Sequence, residues 1–208
     1  DRAYSGDPGR AADAAAWVDG GMREAGIISV WKHFPGHGNT ATDSHQALPV
    51  VELSREDWAR GDAVPFRRAV ECGAPAVMAG HIRMTAFDPE YPASLSHVLV
   101  SEVLREELGF TGVVCTDDLT MGAISDTYGM GEAAVLAVEA GCDLLLVCHG
   151  ADNLTQARQA LLGAVDGGRI SPARLEESVY RILALKAEYG LTNQTVEAPD
   201  VAALNQAV

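Results

Sequence analysis

The sequence has no apolar run approaching the roughly 18 residues a membrane-spanning helix needs, and no charged-plus-apolar leader opens it. Basic residues are scarce. Lys and Arg number 15 against 29 Asp and Glu, a formal net charge of −14, whereas nucleic-acid binding needs clustered cations to displace counterions. A polyanion is therefore not an expected partner, and neither is a membrane. The four cysteines, Cys72, Cys115, Cys142 and Cys148, have no CxxC spacing. Three sit at strand positions, where a free thiol behaves as a small buried hydrophobe, so a reducing, cytoplasmic setting is expected. Gly36-His37-Gly38 lacks the third glycine of a dinucleotide fingerprint and no GK[ST] occurs anywhere, which disfavours phosphate-cradling enzymes. There is no low-complexity tract and no repeat beyond an alternation of strand-like and helix-like segments.

What the sequence does have is Lys32-His33-Phe34-Pro35-Gly36-His37-Gly38-Asn39-Thr40-Ala41-Thr42-Asp43-Ser44-His45. Three histidines, a lysine and a carboxylate follow an apolar run, Gly26 to Trp31, that reads as a strand delivering them to one edge of a sheet. A single histidine beside such a strand is more often a hydrogen-bonded structural residue; three in one loop argue for a site. His33 and His37 have the i, i+4 spacing of a zinc helix, but Pro35 and Gly36 between them oppose a helix. Asp43 and His45 are spaced so that the carboxylate can accept a hydrogen bond from the imidazole and raise its basicity. Asp43 could equally cap a turn through its own backbone.

A second motif tips that balance. Gly112-Val113-Val114-Cys115-Thr116-Asp117-Asp118-Leu119-Thr120-Met121 is an apolar strand ending in adjacent carboxylates. Parallel α/β sheets gather their ligand sites at the C-terminal strand edge, which makes a carboxylate there a candidate nucleophile, base or cation ligand. Capping of the next helix would account for one of the two, hardly for both.

Together these segments resemble the KHFPGHG…DSH…LP and GF-x-G…[ST]DDLSM signatures of the bacterial β-N-acetylhexosaminidases of glycoside hydrolase family 3, with Gln46-Ala47-Leu48-Pro49 and Gly109-Phe110-Thr111-Gly112 completing them. Asp1 to Pro8 is similar to the family's DRSF…DP turn and Ala140-Gly141-Cys142-Asp143 to its AGCD strand. The resemblance implies a retaining hydrolase that removes terminal β-linked N-acetylglucosamine, as in peptidoglycan fragments, through a covalent glycosyl-enzyme. It implies Asp117 as nucleophile, with Asp118 in a supporting or capping role. It implies His45 as general acid/base and Asp43 as its partner, and Lys32, His33 and Arg2 as sugar ligands. His81, at the end of Ala76-Val77-Met78-Ala79-Gly80, occupies a strand end where the family also carries a histidine, so it is expected to line the sugar subsite or support another ligand. Met121 packs beneath the sugar or fills core. His149 stands where the family more often has asparagine, and His37 and Gly38 shape the loop.

The chemistry is consistent with those roles. A retaining glycosidase needs a carboxylate nucleophile and a second group that first donates and then removes a proton, ordinarily about 5–5.5 Å away. A histidine, with its ordinary pKa near 6.5, changes protonation around neutrality without the burial a carboxylic acid requires, and a neighbouring Asp43 would shift it upward. A neutral imidazole also repels an anionic acceptor less than a carboxylate, so phosphorolysis stays beside hydrolysis. No cofactor or metal is expected. The alternatives from other classes are a metal-dependent hydrolase, which His33, His37, His45, Asp43, Asp117 and Asp118 could in principle ligate, and a non-catalytic sugar-binding fragment, which an intact Asp117 and His45 oppose.

The periodicity predicts an α/β chain of four βα units, the C-terminal half of a (β/α)8 TIM barrel. Strands are expected near Gly26–Phe34, Ala76–His81, Gly112–Thr116 and Asp143–Cys148. Helices are expected over Gly9–Glu24, Arg55–Glu71, Ser96–Leu108, Gly131–Ala140, Asp152–Val165 and Pro172–Tyr189. Residues 1–190 form that portion and residues 191–208 a tail. A full barrel typically takes ~250 residues, more than the 208 here, and the chain opens without methionine, so the N-terminal half is expected to be missing. The expected partners are an N-acetylglucosamine-containing saccharide and, to close the two open sheet edges, the missing half or a second copy of the chain.

Overall fold

The structure, a computed structural model, describes residues 3–40 and 48–194. Asp7 opens the first helix: its carboxylate accepts from the Arg10 amide at 2.8 Å and Pro8 takes the first turn, where a missing N–H costs nothing. Helix α1, Pro8–Glu24, leads into strand β1, Val30–Phe34. The buried Asp19 carboxylate fastens the two, accepting from Ser29 Oγ and, at 3.2 Å, from Trp31 Nε1.

Strands β3 (Ala76–Ala79), β5 (Val113–Asp118) and β6 (Leu144–Leu146) continue the sheet in the order β1-β3-β5-β6, every pair parallel. Helices α2 (Arg55–Arg60) and α3 (Ala63–Glu71) link β1 to β3. The helix Val98–Glu107 links β3 to β5, and α4 (Gly122–Tyr128) and α5 (Met130–Ala140) link β5 to β6. Helices α6 (Ala151–Asp166) and α7 (Pro172–Glu188) follow, the latter capped by Ser171 as its Ser-Pro start predicts. Strands in consecutive order with helices on one face are half of a (β/α)8 barrel, and the expected fold class is what the chain adopts.

Four details depart from the periodicity. The helix expected over 55–71 breaks at Gly61-Asp62, because Ser54 caps one short helix and a second starts at Ala63. Val98–Glu107 is wound as a π-helix, its end closed by the Leu108 amide reaching back five residues to Val103. The short strands β2 (Val50–Val51) and β4 (Arg83–Met84) pair parallel in a separate two-stranded ribbon, too short to leave a signal in the pattern. Helix α4 was also not anticipated. Among the described residues no helix is long and apolar enough to cross a membrane.

The core lies between sheet and helices. Phe34, Trp58, Phe66 and Phe87 form a chain of edge-to-face contacts with centroids 4.9–6.4 Å apart, geometry that favours such rings beyond simple burial. At the N-terminal end of the sheet the fully buried Asp143 carboxylate gathers Arg105 (2.6 Å), Arg181 (3.1 Å), Ser178 (2.8 Å) and the Val114 amide (3.0 Å). It thereby joins the π-helix, α7 and two strands. The outer strands β1 and β6 are the sheet's edges, and Val30 and Leu144 are 42% and 45% exposed there.

Candidate active site

Two irregularities in strand pairing build the site. Trp31 pairs with Val77 and Phe34 with Ala79, so β1 carries one residue more than β3 over the Lys32-His33 step. Cys115 pairs with Leu144 and Asp118 with Leu146, so β5 carries one more than β6 over Thr116-Asp117. A bulge of this kind re-aims the side chains on it. The peptides Lys32–His33 and Phe34–Pro35 are cis. In the second bulge the Thr116 hydroxyl accepts from the Leu146 amide at 3.1 Å, standing in for a ladder bond.

The result is that His33 Nε2 faces Asp117 Oδ2 at 3.7 Å, with side chains 16% and 20% exposed. The other Asp117 oxygen accepts from the Asp118 amide at 2.9 Å. Gly80 on the intervening strand makes room: a Cβ there would stand 3.0 Å from the His33 Cβ. His37 meets His33 edge to face at 5.4 Å and is bridged to Thr40, whose hydroxyl lies 2.6 Å from Nδ1. Gly36, at φ 130°, allows the loop to turn against Asp62, where a Cβ would come within 2.4 Å of the Asp62 Cβ. The Asn39 amide bonds Asp62 at 2.9 Å, and the Trp58 indole donates to the Pro35 carbonyl at 2.8 Å.

Asp118 is used up by structure. Its carboxylate accepts from the Thr120 amide (3.0 Å), the Thr120 hydroxyl (2.6 Å) and the Cys148 amide (3.0 Å). Burial raises its pKa, but those hydrogen bonds and the His149 ring outweigh the burial and hold it below the usual carboxylate range. Asp117, with one oxygen turned to His33, is the carboxylate left to do chemistry.

Of the residues singled out by sequence, Lys32, His33 and Asp117 come together at this edge. Lys32 is exposed at the step where β1 bulges. Met121 is buried at the start of α4. His81 is 1% exposed, and its ring reaches Ser94 Oγ at 2.7 Å and the Asp118 carbonyl at 2.9 Å. His149, 81% exposed, lies 3.7 Å from Asp118. Arg2, Asp43 and His45 lie outside the described residues. Among the described residues no three His, Cys, Asp or Glu side chains are grouped to hold a metal ion. Sequence reasoning overlooked Gly80 and Ser94. Gly80 carries a signal, a glycine where a strand meets its site; Ser94 carries none, because only folding brings it to His81.

Residues 1–185 match the glycosyl hydrolase family 3 N terminal domain. The chain belongs to that family. A β-N-acetylglucosaminidase of the family from Paenibacillus sp. str. FPU-7 superposes with a TM-score of 0.92 and 44% identity over 96% of this chain and 38% of the other. A β-hexosaminidase from Nitrosomonas eutropha is 32% identical over 100% of this chain and 60% of its own length. A β-glucoside phosphorylase is 30% identical, with a TM-score of 0.89 over 99% of this chain and 38% of the other. This family 3 chain thus spans 38–60% of the length of these relatives.

Proposed function

We propose that this family 3 chain carries the nucleophile and acid/base of a retaining β-N-acetylglucosaminidase. The observation that carries the reading is the Asp117 carboxylate at the C-terminal end of β5, held by the Asp118 amide and turned to His33. Asp117 attacks the anomeric carbon of a terminal β-linked N-acetylglucosamine as the glycosidic C–O bond breaks. His45, partnered by Asp43, gives its proton to the leaving oxygen. The imidazole then takes a proton from water, which attacks the same carbon and frees Asp117. Lys32, His33 and Arg2 hold the sugar hydroxyls. The similarity to glycosidases named for this sugar supports the substrate class, and peptidoglycan fragments are a natural source of it.

Barrel strands from outside this chain belong to the same reading. The open edges at β1 and β6, with Val30 and Leu144 exposed, support closure of the barrel by further βα units, from a complementary half or from a second copy. The four unpaired cysteines support a reducing, cytoplasmic setting. Phosphate as acceptor is a second reading, favoured by the likeness to the β-glucoside phosphorylase.

The test is release of nitrophenol from an aryl N-acetyl-β-glucosaminide by the full-length protein, with and without phosphate. Hydrolysis independent of phosphate and unaffected by EDTA is expected, and Asp117→Ala should lower it by about three orders of magnitude or more. Near-normal turnover in that variant would move the nucleophile elsewhere, first to Asp118. A rate that depends on phosphate would make the enzyme a phosphorylase.

A further inference from the structure

We propose that His81, backed by Ser94, is a positioning residue for the Asp117 nucleophile, a buried imidazole that clamps the Asp118 carbonyl and so fixes the residue whose amide directs the neighbouring carboxylate. The proposal rests on the glycosidase reading. His81 lies two residues past β3, on the strand next to β5. Its Nε2 is 2.9 Å from the Asp118 carbonyl, which can only accept, so that nitrogen carries the hydrogen. In the neutral ring Nδ1 can then accept the Ser94 hydroxyl, 2.7 Å away.

Ser94 is itself immobilised. It is fully buried, its amide donates to the Gly80 carbonyl at 3.1 Å, and the adjacent Ala93 amide donates to Ile82 at 2.8 Å. The clamp therefore stands on a fixed base, and what it grips is the carbonyl of the residue whose amide holds the Asp117 carboxylate. The Asp118 amide donates to Asp117 Oδ1, while the Asp118 carbonyl receives His81 and, at 3.0 Å, the Met121 amide. Asp117 sits in the β5 bulge, where pairing with β6 slips by a residue and regular ladder bonds do not fix the chain. Pins from outside the strand do so, the His81 ring from just past the end of β3 and the Cys148 amide from just past the end of β6.

The test uses the full-length protein and the variants His81→Ala, His81→Gln and Ser94→Ala. It measures kcat, KM, thermal midpoint and the fraction of molecules trapped as glycosyl-enzyme by a slow 5-fluoro N-acetylglucosaminyl substrate. With the carboxylate misdirected, His81→Ala should lower kcat per titratable site by about 100-fold while KM changes little. His81→Gln, whose amide can donate to the same carbonyl, should recover much of the loss, and Ser94→Ala should show a smaller loss of the same kind. Should His81→Ala not fold, the other two variants carry the same comparison. An unchanged rate per titrated site, with fewer sites, would reduce His81 to a core residue and overturn the proposal. So would a rise in KM at constant kcat, which would make it a sugar ligand. An inactive wild-type enzyme would sink the glycosidase reading and this one with it, whereas an active wild type with unaffected variants sinks the positioning role alone.

Discussion

His33 and Asp117 face each other at 3.7 Å across a strand that belongs to neither. Each stands on an extra residue in its own strand, one in β1 and one in β5, and the strand between them, β3, presents Gly80 where any side chain would press on His33. A bulge costs pairing, and here it is repeated on both sides of the same gap, which is how two side chains from alternate strands come to share one site.

Filling that gap should be felt at once. Gly80→Ala places a methyl 3.0 Å from the His33 Cβ and 3.3 Å from Ile82 Cδ1, so His33 must yield by a few tenths of an ångström. A fall in kcat/KM of about tenfold is expected, short of the hundredfold of a full 1 Å misplacement. Unaltered kinetics would mean that His33 is not held where substrate meets it.

Proton donation by His45 should show in the leaving group. His45→Ala should cost about 10²–10⁴ in kcat/KM on substrates with poorly stabilised alkoxide leaving groups and much less on activated aryl glycosides. Equal losses on both classes would remove His45 from the role of general acid.

Asp118 predicts a pH dependence of stability. Its hydrogen bonds to Thr120 and Cys148 hold the folded pKa below the unfolded value near 3.9. The carboxylate's contribution is therefore complete above that value and is lost as pH falls through the folded pKa. Urea midpoints of wild type and Asp118→Asn should differ near neutrality and converge at acid pH; a constant gap down to pH 2 would contradict the assignment.

Two buried anchors should dominate stability. Asp143→Asn leaves Arg105 and Arg181 without their buried counter-charge and should cost about 3–5 kcal/mol. Trp58→Ala removes the centre of the aromatic chain and the donor to Pro35, and should cost about 3–5 kcal/mol as well. Denaturant melts of the full-length protein would check both; a loss under 1 kcal/mol in either would show that the anchor is dispensable.

Much of this was legible beforehand. The alternation of apolar runs and helical periods located all four strands of the larger sheet, and Ser171-Pro172 marked a helix start, because periodicity and capping are local properties of the chain. The charged strand ends at Lys32-His33 and Asp117-Asp118 were visible for the same reason. The break at Gly61-Asp62 and the two-residue strands were not, since they depend on neighbours rather than on pattern.

The sequence alone determined which residues could do chemistry and at which edge of the sheet they would stand. Tertiary structure decided which of the two adjacent carboxylates is spent on Thr120 and Cys148 and which is left facing His33. It also decided that the His81 ring meets the Asp118 carbonyl and the Ser94 hydroxyl. Those outcomes turn on one-residue shifts in register and on contacts between distant segments, such as Ser94 with His81, and no local pattern encodes them.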